Sequence, residues 1–200
     1  DGKLPEYINK LVANCIETGN AYGKTVTCDC LTEAIKAHSD KKDTLLLLGV
    51  DAKFMACEQA NKAIKVLDKA GVDFTVLENE PASGVQLDFL IGAANETKEQ
   101  MTACAKALGE YKTVVVYDPN DAKAIKQLYK EYGIEVNANV VTYTSFVAGL
   151  LRDGKLEAKN SGKSVVHESP SLDPPKLNAT LNNSKILDSL SENATPQGII

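Results

Sequence analysis

The sequence lacks several features that would place it in a specialised class. It contains no tryptophan, and its 22 Lys and Arg residues are outnumbered by 27 Asp and Glu residues. A formal net charge of -5 gives no electrostatic footprint for nucleic acid, so we predict no nucleic-acid partner. No apolar run approaches the ~18 residues of a membrane span, and the first residues show no charged segment leading into an apolar one. We therefore expect a soluble, cytoplasmic protein without a membrane span, although the start at Asp1 rather than Met leaves a removed signal or an upstream domain open.

Cysteine is present, but in a number and spacing that do not indicate a disulfide framework. The five cysteines are Cys15, Cys28, Cys30, Cys57 and Cys104. An odd count without paired spacing favours reduced thiols. Cys28 and Cys30 are the one close pair, and the other three fall on predicted helix stripes, where a small buried side chain is expected. A metal or cluster held by these cysteines is therefore the weaker interpretation.

Strand-like and helix-like segments alternate over most of the chain. The predicted strands cover residues 45–48, 72–77, 113–117 and 135–143. The predicted helices cover residues 6–17, 53–70, 87–108 with a break near Gly92, 121–132 and 145–152, and a further short helix has Asp29 as its N-cap. Alternation of this kind predicts an α/β fold with a mainly parallel sheet and flanking helices. In such sheets binding sites form beyond the carboxyl ends of the strands.

Three loops follow the first three predicted strands and have a regular spacing. They are Gly49-Val50-Asp51, Pro81-Ala82-Ser83-Gly84 and Asp118-Pro119-Asn120-Asp121. The fold prediction places all three at the same edge of the sheet. Their spacing is similar to that of loops that bind a cofactor, but the residues that would ligate the cofactor are missing.

Three segments, together with Leu48-Gly49, carry a resemblance to a known family. They are Gly19-Asn20-Ala21-Tyr22-Gly23, residues 67–77 (LDKAGVDFTVL) and residues 146–156 (FVAGLLRDGKL). With the loop spacing, they resemble the cysteine-rich CCG-domain proteins: heterodisulfide reductase catalytic subunits and the iron-sulfur subunits of glycolate, lactate and glycerol-3-phosphate oxidoreductases. The resemblance implies Rossmann-like βαβ units of a CCG-type module.

In that family cysteines on the three loops hold an iron-sulfur cluster of [4Fe-4S] type, because iron in such clusters takes soft sulfur ligands. Carried over onto this chain, the ligand positions are Val50, Ala82, Ser83, Asp118 and Asp121. None of the five is cysteine, so the resemblance implies a degenerate member whose cluster site is empty. We predict no cofactor, no metal and no catalytic residue in this chain.

The resemblance also implies the domain organisation. We expect an N-terminal helical segment over residues 1–43, a degenerate CCG-like α/β domain over residues 44–163, and an extended tail over residues 164–200. Residues 165–172 (VVHESPSL) resemble the opening of a second module, again without cysteine.

For the other candidate metal-binding, histidine and anion-binding residues we favour a structural role. Asp51, Asp118 and Asp121 could provide oxygen ligands for a divalent cation, but Asp is also a common turn and helix-cap residue. His38 and His167 are the two histidines, and we expect both to be structural. Gly84 precedes a helix and could present amides to an anion, but it lacks a full phosphate-loop motif.

The resemblance, with all five ligand positions lacking cysteine, implies a non-catalytic scaffold or interaction module of a redox complex. Its partner would be a paralogous redox subunit or a second copy of the chain. Two alternatives stay open: a fragment or subunit of an iron-sulfur oxidoreductase, with heterodisulfide reductase-like electron transfer, whose cluster lies elsewhere, and a small-ligand or divalent-cation site in the vacated cleft. If the chain belongs to an enzyme, we expect an oxidoreductase subunit.

Overall fold

A computed structural model of the protein describes residues 4–157. Within this range, three parallel strands form one sheet in the order β1 (Thr44–Leu47), β2 (Thr113–Val116) and β3 (Asn139–Thr142). The predicted α/β fold with a parallel sheet is therefore confirmed. Residues 72–77, predicted as a strand, form a single parallel bridge between Thr75 and Leu45, and so lie along the other side of β1.

Helices surround this sheet. Before it lie α1 (Glu6–Thr18) and α2 (Asp29–Ala37). Between β1 and β2 lie α3 (Val50–Phe54), α4 (Cys57–Lys69), α5 (Val85–Ile91) and α6 (Asn95–Leu108). After β2 come α7 (Pro119–Lys123), a π-helical turn (Ala124–Leu128) and α8 (Tyr129–Glu131), and α9 (Tyr143–Arg152) follows β3.

Several predicted helix boundaries were wrong. The helix predicted over residues 53–70 is two helices, because the backbone of Ala56 leaves the helical region between α3 and α4. The helix predicted from Asp121 begins two residues earlier, since the Asp118 carboxylate caps it and Pro119 fits the first helical turn. Asp121 therefore lies inside the helix, and Cys28 rather than Asp29 occupies the N-cap position of α2.

The strands bury side chains on both faces, which is why their sequences are apolar without alternation. One face packs against α2, α4 and α9, and the core there includes Leu31, Ile35, Leu46, Leu48, Ile64, Leu67, Val115 and Leu150. The opposite face packs against α6 and the helices after β2, and the core there includes Leu45, Leu47, Met101, Leu108, Val114, Val116, Ile125 and Tyr129. The result is a sheet between two helical layers.

The chain changes direction across β1. It leaves β1, returns on one side as the Thr75 segment, and then crosses to the other side of β1 to form β2. In open parallel sheets such a switch point leaves a crevice beyond the carboxyl ends of the strands. Here that crevice lies between Gly49, which follows β1, and Asp118, which follows β2.

Among residues 4–157, no helix combines the length and the apolar character needed to cross a membrane. The predictions that concern His167, the second-module opening at residues 165–172 and the tail beyond residue 163 lie outside the described residues.

Candidate functional site

The loops after β1 and β2 are in contact at the crevice. Gly49 has φ 87°, a conformation that favours glycine. A Cβ atom at this position would lie 2.6 Å from Asp121 Oδ2 and 2.8 Å from Asp118 Cβ. Glycine is thus required both by the backbone conformation and by the close approach of the two aspartates. The third loop meets them through Ser83, whose hydroxyl donates a 2.6 Å hydrogen bond to Asp121 Oδ1.

All five positions carried over from the resemblance line one cavity of about 470 Å³, which we call the strand-end cavity. Those positions are Val50, Ala82, Ser83, Asp118 and Asp121. The sequence-based expectation that three separate loops converge is therefore met by the geometry. Sequence reasoning also expected Asp51 nearby, and it lines the same cavity.

Two carboxyl groups in this cavity have unusual acidity. Asp121 is 6% exposed, and burial, followed by repulsion from Asp118, raises its pKa to about 7. The pKa of Asp118 is also raised, chiefly by burial, although its carboxylate accepts hydrogen bonds from the backbone amides of Asn120 and Asp121. A carboxyl group that titrates near neutral pH in a cavity is a candidate functional group.

Sequence reasoning missed Glu80, a half-buried residue that lines the second cavity described below. Its carboxyl group accepts hydrogen bonds from the amides of Leu48, at 2.8 Å, and Gly49, at 3.0 Å. Burial raises the pKa of Glu80, and the positive charge of Lys53 opposes that rise. Nothing in the local sequence marks Glu80, because its role depends on the free amides at the end of β1.

Lys53 was also missed, since it was predicted as the first residue of a helix and not as part of its buried stripe. The residue is 6% exposed, and its ammonium group donates to the carbonyl of Glu78 at 2.6 Å. Lys53, Glu80 and Asp121 line a second cavity of about 400 Å³, which shares the wall formed by Val50, Ala82 and Ser83 with the strand-end cavity. The crevice therefore holds both acidic and basic groups.

The outer wall of the strand-end cavity comes from the segment Gly19–Gly23. Asn20 is buried, and its side chain donates to the carbonyls of Thr18 and Lys24, which fixes the turn. The hydroxyl of Tyr22 donates to Asp51 at 2.8 Å, and burial, with that bond, raises the pKa of Tyr22 to about 12. The segment on which the family resemblance partly rests is thus part of the site.

Gln86 holds this wall from the other side. Its side-chain oxygen accepts a 2.8 Å hydrogen bond from the amide of Ala21. Phe89, on the same short helix, also lines the cavity and is 90% exposed. The cavity combines a largely apolar lining, which includes Leu11, Val85 and Leu90, with the polar groups at the strand ends.

The cysteines require a correction. The expectation of reduced thiols was wrong for Cys28 and Cys57, which form a disulfide with a Cα–Cα distance of 6.2 Å. The two residues are 29 positions apart, and the packing of α2 against α4 brings them together, which sequence spacing alone does not reveal. Cys15 and Cys104 are buried free thiols, as predicted, and burial raises their pKa values to about 11 and about 12.

The other predicted chemistry is accounted for by local contacts. His38 Nε2 lies 2.7 Å from Asp68 Oδ1, and its Nδ1 lies 2.8 Å from the carbonyl oxygen of Ala34. Those contacts fit the structural role that was expected. Within residues 4–157, no three His, Cys, Asp or Glu side chains are grouped so as to hold a metal ion.

Comparison of the chain with family models, with curated proteins and with solved structures finds no match.

Proposed function

We propose that this protein is a non-catalytic binding module whose strand-end cavity takes a small ligand carrying a cationic or hydrogen-bond-donating group. The observation that carries this proposal is the convergence of Ser83, Asp118 and Asp121 in one cavity at the switch point of the sheet. Its volume of about 470 Å³ is in the range of small-molecule sites. The resemblance to cluster-binding modules supports a ligand site in this cavity. In this proposal the residues at the cluster-ligand positions bind a different ligand.

The charge of the cavity supports the class of ligand. Burial and the neighbouring carboxyl groups of Asp118, Glu80 and Asp51 make ionisation of Asp121 unfavourable in the folded protein. A positive group beside Asp121 and Asp118 would offset the free-energy cost of burial and that of charge repulsion, because it favours the charged form of each acid. A primary amine or a guanidinium also supplies several N–H donors for the carboxylates, Ser83 and Gln86.

Calorimetric titration and thermal shift with small amines, guanidines, inorganic anions and divalent cations test this proposal. We expect an amine or guanidine to stabilise the protein in proportion to the logarithm of its concentration. Binding should strengthen as pH rises through about 7, where Asp121 ionises. Asp121→Asn should abolish the shift, and Asp73→Asn, at an exposed aspartate in the segment after α4, should leave it unchanged. Equal shifts in both variants would place the ligand elsewhere and refute the proposal.

A second function is favoured by the exposed Phe89. An aromatic side chain that is 90% exposed beside a cavity is a candidate anchor for a partner protein. We propose that Phe89 belongs to the surface through which the module joins a redox complex, with a paralogous subunit or a second copy of the chain as partner. Native mass spectrometry of the protein purified from its source should show a complex that Phe89→Ser weakens. Recovery of the wild-type chain as a free monomer throughout would contradict this.

Iron analysis separates both functions from the electron-transfer alternative. A stoichiometric iron-sulfur cluster in the isolated chain would overturn the proposed cluster-free module.

A further inference from the structure

A third sulfur atom lies against the disulfide, on the α2 and α4 side of the sheet. The Sγ atoms of Cys28 and Cys30 are 3.2 Å apart, and Cys30 is a free, partly exposed thiol. Residues two apart in a helix do not face each other. Here they do, because Cys28 is the N-cap of α2 and has an extended backbone, with φ -71° and ψ 154°.

The three sulfur atoms are held together independently of the disulfide. The hydroxyl of Thr27 donates to the carbonyl of Lys53 at 2.6 Å, and the ammonium of Lys24 donates to the carbonyl of Phe54 at 3.2 Å. Leu31 and Ile35 of α2 share a buried core with Ile64 of α4. The two hydrogen bonds tie the segment before α2 to the end of α3, and the shared core packs α2 against α4, whichever pair of cysteines is bonded.

We propose that Cys28, Cys30 and Cys57 form a thiol–disulfide exchange site. The Cys30 thiol loses its proton to solvent, and the resulting thiolate attacks Sγ of Cys28. The bond between Cys28 and Cys30 forms as the bond between Cys28 and Cys57 breaks, and Cys57 leaves as a thiolate that takes up a proton. The number of disulfides is unchanged, so the step needs no oxidant or reductant.

The positions of the sulfur atoms support this chemistry. Cys30 lies in the first turn of α2, and Cys57 is the first residue of α4. The Cys30 thiol is partly exposed, so solvent reaches the attacking sulfur, and it already lies 3.2 Å from the Cys28 sulfur that it attacks. Cys15 and Cys104 have no such role, since both are buried free thiols in the protein core.

Peptide mapping distinguishes the two disulfides. The oxidised full-length chain is incubated near neutral pH, quenched with acid, alkylated with N-ethylmaleimide under denaturing conditions and digested with trypsin. Cys28 and Cys30 fall in the tryptic peptide of residues 25–36, and Cys57 falls in that of residues 54–62. The Cys28–Cys57 disulfide gives the two peptides cross-linked, with the label on Cys30. The Cys28–Cys30 disulfide gives an internally bridged peptide 25–36, with the label on Cys57.

We expect both forms in the wild-type chain, with a share of labelled Cys57 that does not depend on protein concentration. Cys30→Ser should leave only the cross-linked form, whereas Cys15→Ala, a cysteine distant from the site, should give the wild-type pattern. Absence of the internally bridged peptide from the wild-type chain would overturn the proposal, whether or not the variants fold. A labelled share that rises with protein concentration would also overturn it, because that result shows exchange between chains.

Discussion

Replacing Asp121 with Asn should change the pH dependence of stability in a specific direction. The pKa of Asp121 is raised from 3.8 to about 7 in the folded protein, chiefly by burial. The folded state therefore binds more protons than the unfolded state between these two values. Stability contributed by this group is present at low pH and is lost as the pH rises towards 7.

The magnitude follows from the size of that change. A difference of about three pH units, at about 1.36 kcal/mol for each unit, means that ionising Asp121 costs about 4 kcal/mol of folding free energy. Asn keeps the shape of the side chain and an oxygen that can accept from Ser83, but it carries no charge. The variant should therefore equal the wild type near pH 4 and exceed it by up to about 4 kcal/mol near pH 8.

Urea unfolding followed by far-ultraviolet circular dichroism, with the disulfide intact, measures this difference across the pH range. Asp73→Asn provides the matched control, because it makes the same substitution at an exposed aspartate that does not line the strand-end cavity. If the stability difference between Asp121→Asn and wild type stays constant from about pH 4 to about pH 8, Asp121 is not the buried group described here.

Three further predictions concern the loops and the cysteines. Gly49→Ala should cost about 3 kcal/mol of unfolding free energy, since it combines a strained backbone with a close contact to Asp121. Gly71 is the control, because it has φ 66° and no heavy atom lies within 4 Å of an added Cβ. Gly71→Ala should therefore cost about 1 kcal/mol in the same urea assay. Tyr129→Phe should cost about 1 to 3 kcal/mol by chemical denaturation, because its hydroxyl donates a buried 2.7 Å hydrogen bond to the Ser83 carbonyl, and an unchanged midpoint would rule that bond out as a support of the third loop. Cys57→Ala should lower the unfolding free energy by about 3 to 4 kcal/mol, because it removes the disulfide that closes a loop between residues 29 positions apart. Cys30→Ala should leave the unfolding free energy nearly unchanged. Equal losses in the two variants would contradict the pairing of Cys28 with Cys57.

The order of strands and helices could be read from the sequence because apolar runs and helical stripes are local signals. The convergence of Val50, Ala82, Ser83, Asp118 and Asp121 followed from that order, since parallel strands end at a common edge. The predicted strand over residues 72–77 failed for a different reason. Phe74 and Val76 are buried, but only Thr75 pairs with β1, and a pattern of burial does not report pairing.

The missed features all depend on contacts between distant residues. Glu80 binds the amides that β1 leaves free, and Lys53 is buried against carbonyls of a segment more than 20 residues away. Cys28 and Cys57 meet because two helices pack together. None of these contacts leaves a periodic trace in the sequence, so local patterns could not have revealed them.

The attachment of the Gly19–Gly23 wall links the cavity to the stability of α1. Gln86 accepts from Ala21, and Gln100 donates to the Cys15 carbonyl at 3.0 Å, so two glutamine side chains tie the end of α1 to α5 and α6. Tyr22 adds a third tie, to Asp51 beside β1. A ligand that fills the strand-end cavity would stabilise the closed wall, and opening of α1 would then require its release. Slowed amide hydrogen exchange in residues 6–18 is therefore a reporter of occupancy at a site formed mostly by other parts of the chain.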